Sequence, residues 1–241
     1  MNIMKFHSEA DLNQAGAGMF ASLLQAKPAA VLGLATGSTP LGIYAELVKL
    51  YRKGMISFDK ATTFNLDEYI GLSANHPQSY RSYMNEHLFR HINLPKDRMH
   101  IPDGNAANPE AECARYEKLL QAAGQIDLQL LGLGHNGHIG FNEPSDTLAS
   151  ETHIVKLAEN TRAANARFFS SPAEVPTHAI TMGVGSILRA KTIMLIARGQ
   201  DKAEIVRRAL TGPVTTQCPA SLLQTHANVV VLLDKAAGQY I

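Results

Sequence analysis

The chain has 241 residues, with 22 basic against 21 acidic side chains and a formal net charge of +1. That balance argues against nucleic acid or an anionic membrane as the main partner, while leaving room for a local basic pocket. With no Trp and only 6% aromatics, extensive base-stacking or sugar-stacking platforms are excluded, so any sugar recognised here is held by polar and charged groups.

In chain order, the opening Met-Asn-Ile-Met-Lys-Phe lacks a cationic segment followed by a long apolar one, so no secretory signal is expected. No apolar run approaches the roughly 20 residues needed to span a bilayer. An amphipathic stretch over 8–26 predicts the first helix, and an apolar run over 30–35 the first strand. Helix 40–52, strand 62–66, helices 77–89 and 109–123, strand 126–131, helix 160–168, strand 192–197, helix 201–210 and strand 229–233 follow. Ser38-Thr39-Pro40 marks one helix start, with Pro40 at the first helical position. Strands alternating with helices predict right-handed crossovers and an α/β fold, an open three-layer sandwich whose mostly parallel sheet is covered on both faces. No linker divides the chain, so residues 1–241 read as one domain. Cys113 and Cys218 are too few for a disulfide framework. They read as buried small apolar residues in a reducing compartment, which places the chain in the cytoplasm.

Three strand ends carry chemistry. After the first strand, Thr36, Gly37, Ser38 and Thr39 bring backbone amides and hydroxyls to a helix start, a place suited to an anion. The segment has neither Walker nor dinucleotide glycine spacing, so the anion is a phosphate on a small molecule; simple helix capping by Ser38 or Thr39 is the alternative. After the next strand come Asp67 and Glu68. A carboxylate there can take a proton from a carbon beside a carbonyl, and a helix cap or ion pair is the competing reading. After strand 126–131, glycines 132, 134, 137 and 140 let a loop bend sharply around His135, Asn136, His138, Asn142 and Glu143. In open α/β sheets ligands bind beyond the carboxyl ends of strands, so this loop reads as part of an active site. Its Gly-x-Gly-x-x-Gly spacing continues into loop rather than helix, which sets a dinucleotide aside.

Arg167 and Lys202 are cations that could serve as phosphate partners, with Arg162, Arg198 and Lys156 as secondary candidates; spacing alone does not separate any of them from solvated surface charges. His135 and His138 have no second cluster of matching spacing, and the chain has no His-Glu-x-x-His or Cys-x-x-Cys. No metal is therefore expected. Gly-x-Ser-x-Gly is also absent, which leaves the hydrolase elbow without support.

Taken together, Leu34 to Pro40, the Asn-Leu-Asp-Glu-Tyr string at 65–69, Gly134 to Pro144 and Thr161 to Phe169 resemble the glucosamine-6-phosphate deaminase family over essentially the whole chain. The resemblance implies an open α/β sandwich shared with sugar-phosphate isomerases and lactonases. It also implies conversion of D-glucosamine 6-phosphate and water to D-fructose 6-phosphate and ammonia in amino-sugar catabolism, with no cofactor. Carried onto this chain, it makes Asp67 the base at the substrate's C2 and His138 the group assisting ring opening, with Glu143 and Asn136 orienting the imidazole. The phosphate would lie against residues 36–39, Arg167 and Lys202. Two rivals remain: a 6-phosphogluconolactonase-like hydrolase, which would not need Asp67 as a carbon base, and a non-catalytic sugar-phosphate sensor, which would need none of Asp67, His138 and Glu143.

Two departures from the family pattern carry expectations. Many members have Asp where this chain has Asn136, so Glu143 takes a larger share in supporting the histidine. The allosteric members carry a basic segment after the catalytic loop, where this chain has His153 and Val155, and they extend beyond the position matching Ile241. The expectation is a monomer or small homo-oligomer that N-acetylglucosamine 6-phosphate does not activate. Residues 145–156 and 170–176, rich in small residues and turn formers, are expected to act as a lid.

Overall fold

The computed structural model describes residues 1–159, 162, 166, 169, 171 and 174–241. All five predicted strands form: β2 (Val31–Leu34), β3 (Thr62–Asn65), β6 (Leu128–Gly132), β9 (Ile193–Ala197) and β10 (Val229–Asp234). Two short strands that the apolar runs did not announce, β1 (Asn2–Phe6) and β5 (Met99–His100), close the edges. The sheet order is β1-β10-β9-β6-β2-β3-β5, with every pairing parallel. Its interior strands are buried on both faces; all five residues of β9 are inaccessible, as expected where helices cover a parallel sheet.

The helices are α1 (Glu9–Ala26), α2 (Leu41–Arg52), α3 (Tyr80–His87), α4 (Pro109–Ala123), α5 (Val184–Leu188) and α6 (Ala203–Thr211). Helices α1 and α2 approach so closely that a Cβ on Gly16 would lie 2.4 Å from Ile43 Cδ1 and 3.5 Å from Leu232 of β10. Helix α4 instead sets Tyr116 edge-on against Phe64 of β3, ring centroids 5.9 Å apart. Followed through the strand registers, Leu232 shares a face with Leu32 and Thr63 while Phe64 belongs to the other. The protein is a three-layer α/β sandwich.

Helix ends differ from expectation by a few residues, each for a local reason. Ser8 caps α1 by accepting from the Asp11 amide, and Asn108 caps α4 ahead of Pro109. Pro40 takes the cap position of α2 rather than the first helical one, and no side chain caps that helix; Ser38 and Thr39 are thus not helix caps. Helix α3 starts at Tyr80, three residues after the predicted start, because Ser79 caps it. The helix predicted over 160–168 falls largely outside the described residues.

A second, three-stranded antiparallel sheet was not foreseen: β4 (Asp67–Tyr69), β8 (His178–Thr181) and β7 (His153–Lys156), in that order. It also overturns half of the predicted lid. Residues 149 and 150 accept the amides of Val184 and Ser186, and buried Glu117 accepts from the Thr152 amide and hydroxyl and from Ser186. A segment tied down by that many bonds has no free edge to swing. Residues 170, 172 and 173 of the other half lie outside the described residues.

Candidate active site

From β2 the chain runs outward to β3 and β5, then returns to the opposite side of β2 as β6. The point where the order reverses, between the carboxyl ends of β2 and β6, is where an open α/β sheet leaves a crevice. Four adjacent strands, β9-β6-β2-β3, deliver the predicted site residues to this edge. Lys202 follows β9, the histidine loop follows β6, residues 36–39 follow β2 and Asp67 follows β3.

The acidic pair is split by strand alternation. Glu68 turns to helix α3, where Oε1 accepts the amides of Tyr69 and Tyr80 and Oε2 that of Arg81, each at 2.9 Å. Burial raises its pKa, with those three amides pulling the other way. For Glu68 the helix-cap reading is the right one. Asp67 turns the other way. It is 6% exposed, and burial, with the Glu68 carboxylate second, pushes its pKa from 3.8 to about 8. A Cβ built on Gly140 would stand 3.6 Å from Asp67 Oδ2. Since two residues span at most roughly 7 Å, the Asp67 carboxylate lies within roughly 12 Å of the His138 backbone, the scale of a hexose phosphate.

The loop after β6 is held from both ends. Gly134 donates to the His138 carbonyl at 3.0 Å and Gly137 to the Gly134 carbonyl at 3.0 Å. Gly137 has φ 91°, a left-handed conformation open to glycine, and its face abuts Cys218 Sγ. The Phe141 amide donates to Thr181 Oγ1 at 3.2 Å, and Asn142 Nδ2 donates to the carbonyls of Ile139 and Met182 at 2.9 Å. Thr181 pairs with Asp67 across the small sheet, so one residue ties the loop to the aspartate's strand. Tyr69, Tyr80 and Phe141 pack around this junction with centroids 4.7–6.1 Å apart.

Within the loop, His138 Nδ1 meets Glu143 Oε2 at 3.2 Å. A carboxylate only accepts, so Nδ1 carries the proton and Nε2 is the nitrogen left to accept from a ligand. The ring lies over Gly134, where a Cβ would come within 2.4 Å of Nε2. Asn136 is bonded to the groups beside the ring: its Nδ2 donates to Glu143 Oε2 and its Oδ1 accepts from the His138 amide. His135 leaves this cluster for Asp201, 2.7 Å away on the exposed rim. The two histidines thus diverge, and among the described residues no group of three or more His, Cys, Asp or Glu could hold a metal ion.

Lys202 is half-buried and donates to the Leu133 carbonyl at 2.8 Å. Burial lowers its pKa, with Asp201 opposing. The predicted phosphate partner Arg167 lies outside the described residues. Of the secondary candidates, Arg162 donates to the Val175 carbonyl and Lys156 is exposed at the end of β7. Arg198 reaches Ser38, and sequence reasoning had not linked the two. Thr181 was also missed, since only tertiary pairing gives it a role. Cys113 and Cys218 are both buried and free.

The family model for glucosamine-6-phosphate isomerases and 6-phosphogluconolactonase matches residues 7–232. The chain is 52% identical to a glucosamine-6-phosphate deaminase of Lachnoclostridium phytofermentans, over 96% of this chain and 98% of that one. It is 51% identical to one of Bacillus pumilus, over 99% of both. A monomeric glucosamine-6-phosphate deaminase of solved structure superposes with a TM-score of 0.97 at 48% identity, covering 100% of each chain. Matches of that depth along the whole length leave no segment unaccounted for, and the chain belongs to the glucosamine-6-phosphate deaminase family.

Proposed function

We propose that this chain, acting as one catalytic domain, converts D-glucosamine 6-phosphate and water to D-fructose 6-phosphate and ammonia. The observation that carries the reading is the desolvated Asp67 carboxyl set against the loop that holds the Glu143-bound imidazole. Ring opening moves a proton between O1 and O5, work suited to an imidazole whose Nε2 faces the ligand. Asp67 then takes the proton from C2 and returns it to C1, while a proton passes from the amino group to O1, leaving a hydroxyl at C1 and an imine at C2. Water hydrolyses that imine to the ketone and ammonia. Each step is a proton transfer or hydrolysis, so the chemistry calls for no redox group. Glu143 orients the imidazole and supports its charge, and Asn136 acts on Glu143. Residues 36–39, Lys202 and Arg167 hold the phosphate.

The proposed partner is therefore a small sugar phosphate rather than nucleic acid or a membrane surface, and the proposed location is the cytoplasm. Among the described residues no helix is long and apolar enough to cross a membrane. A monomer without activation by N-acetylglucosamine 6-phosphate fits His153 and Val155 on β7, where the allosteric form carries cations. The deciding experiment is ammonia release from D-glucosamine 6-phosphate, run beside acid release from 6-phosphogluconolactone. Ammonia with hyperbolic kinetics is expected. Acid release alone would move the chain to the lactonase reaction, and turnover of neither would make it a sensor.

A further inference from the structure

The anion loop is gripped by its carbonyls. Tyr44 donates to the Ala35 carbonyl at 2.6 Å from α2, Tyr83 donates to the Gly37 carbonyl at 2.5 Å from α3, and Arg198 donates to the Ser38 carbonyl at 3.1 Å from the end of β9. In a planar trans peptide the carbonyl of one residue and the amide of the next point in opposite directions. Drawing the carbonyls of Ala35, Gly37 and Ser38 toward the body of the protein therefore turns the amides of Thr36, Ser38 and Thr39 away from it. A second observation agrees: none of the amides of residues 36–39 donates to an acceptor among the described residues. Backbone donors left unpaired in a structured loop are the feature a bound anion completes. Gly37, at φ 101°, supplies the left-handed turn that lets neighbouring peptides be held this way.

We infer that Tyr83 and Arg198 are positioning residues for the phosphate, acting through the Gly37 and Ser38 carbonyls to fix the outward direction of the Ser38 and Thr39 amides. Neither residue lies in the family's catalytic strings, and they approach the loop from opposite sides. Arg198 is well placed for the task. Its side chain is 19% exposed, and Glu9 at the start of α1 engages the other arm of the guanidinium. The fork is thereby fixed in plane, with its second nitrogen aimed at Ser38. Tyr83 offers a neutral donor on a stiff ring, so the two can be tested for shared geometry rather than shared charge.

This inference rests on the sugar-phosphate reading of the site. The test compares Tyr83→Phe and Arg198→Met with the parent protein, each measured for D-glucosamine 6-phosphate turnover and for inhibition by inorganic phosphate. Both variants should raise KM and the phosphate inhibition constant together, by about fivefold for Tyr83→Phe and about tenfold for Arg198→Met, with kcat changing less than about twofold. Arg198→Lys, which keeps charge but not the fork, should recover only part of the loss. Unchanged KM and inhibition constants in Tyr83→Phe would overturn the inference, because an effect confined to Arg198 would report its charge alone. A fall in kcat at constant KM would overturn it as well. If the parent protein releases no ammonia, the deaminase reading fails by itself. Protection by inorganic phosphate against thermal unfolding, in parent and variants, then still decides whether the two side chains set the loop.

Discussion

Replacing Asp67 with Asn should make the protein more stable and nearly inactive, and the stability gain should grow with pH. Asn matches Asp in shape but never ionises. In the parent, burial pushes the Asp67 pKa from 3.8 to about 8, so the folded state holds a proton that the unfolded chain gives up. Below the unfolded pKa both states are protonated and the side chain costs nothing. Between 3.8 and about 8 stability is lost steadily as pH rises, and above that range the loss is constant. Each unit corresponds to about 1.4 kcal/mol, and about three units are in play at pH 7. The penalty there is on the order of 4 kcal/mol, with Glu68 beside it making this a ceiling. For a domain of this size that is a Tm difference of about 10 °C. Urea unfolding of parent and Asp67→Asn from pH 4.5 to 8.5 should give midpoints that lie closest at the acid end and diverge as pH rises. A gap that stays flat or shrinks with pH would refute the argument. In the parent, kcat/KM should rise with pH through about 8, because it reports the free enzyme's base. The limb in kcat should lie lower, since the substrate's ammonium beside Asp67 favours its ionised form.

Three further outcomes follow from the geometry. Gly134→Ala places a Cβ within 2.4 Å of the His138 ring, which Glu143 keeps from moving aside. Steady-state assays should show kcat down by about a hundredfold with far-UV spectra unchanged. Lys202→Ala should raise KM for the sugar phosphate by about tenfold or more and change kcat less, read from initial rates across substrate concentration. Glu68→Ala removes the acceptor of two amides at the start of α3 and of the Tyr69 amide on β4 and should destabilise by about 2–4 kcal/mol in urea titrations, whereas Glu68→Gln should cost less.

Five strands of the main sheet were legible, most of them as near-continuous apolar runs, Ile193 to Ala197 above all, and such runs announce burial on both faces. The small sheet was not. Asp-Glu-Tyr, His-Ile-Val-Lys and His-Ala-Ile-Thr have no common pattern, and Asp and Glu disfavour strands; those segments are extended only because they meet each other. The acidic pair shows the same limit on a finer scale. Its place beyond a strand's carboxyl end could be read directly, but which carboxyl faces the crevice depends on where α3 begins. The histidine loop was the clearest signal, since four glycines and five polar side chains suit neither core nor plain surface. That His135 turns to Asp201 while His138 turns to Glu143 is a matter of loop path, which spacing does not encode. Arg198 stood among the cations as a secondary candidate. Its partner is a backbone carbonyl, and carbonyls have no identity in a sequence.

Asp67 has little freedom, and Leu66 explains why. Its amide donates to Leu34 of the main sheet at 3.1 Å, and its carbonyl accepts the Met182 amide beside the small sheet at 2.7 Å. One residue is thus bonded into both sheets, and the buried acid is the next one along. An ionisable group that resists burial would normally relax toward water by a small backbone shift. Here such a shift would break a ladder bond on one side or part the Tyr69, Tyr80 and Phe141 rings on the other. The aromatic cluster therefore bears on the protonation of the proposed base: it holds the carboxyl in a dry position that the carboxyl alone would leave. A catalytic carboxylate with a raised pKa needs such a restraint, and in this fold the restraint is the seam between a parallel and an antiparallel sheet.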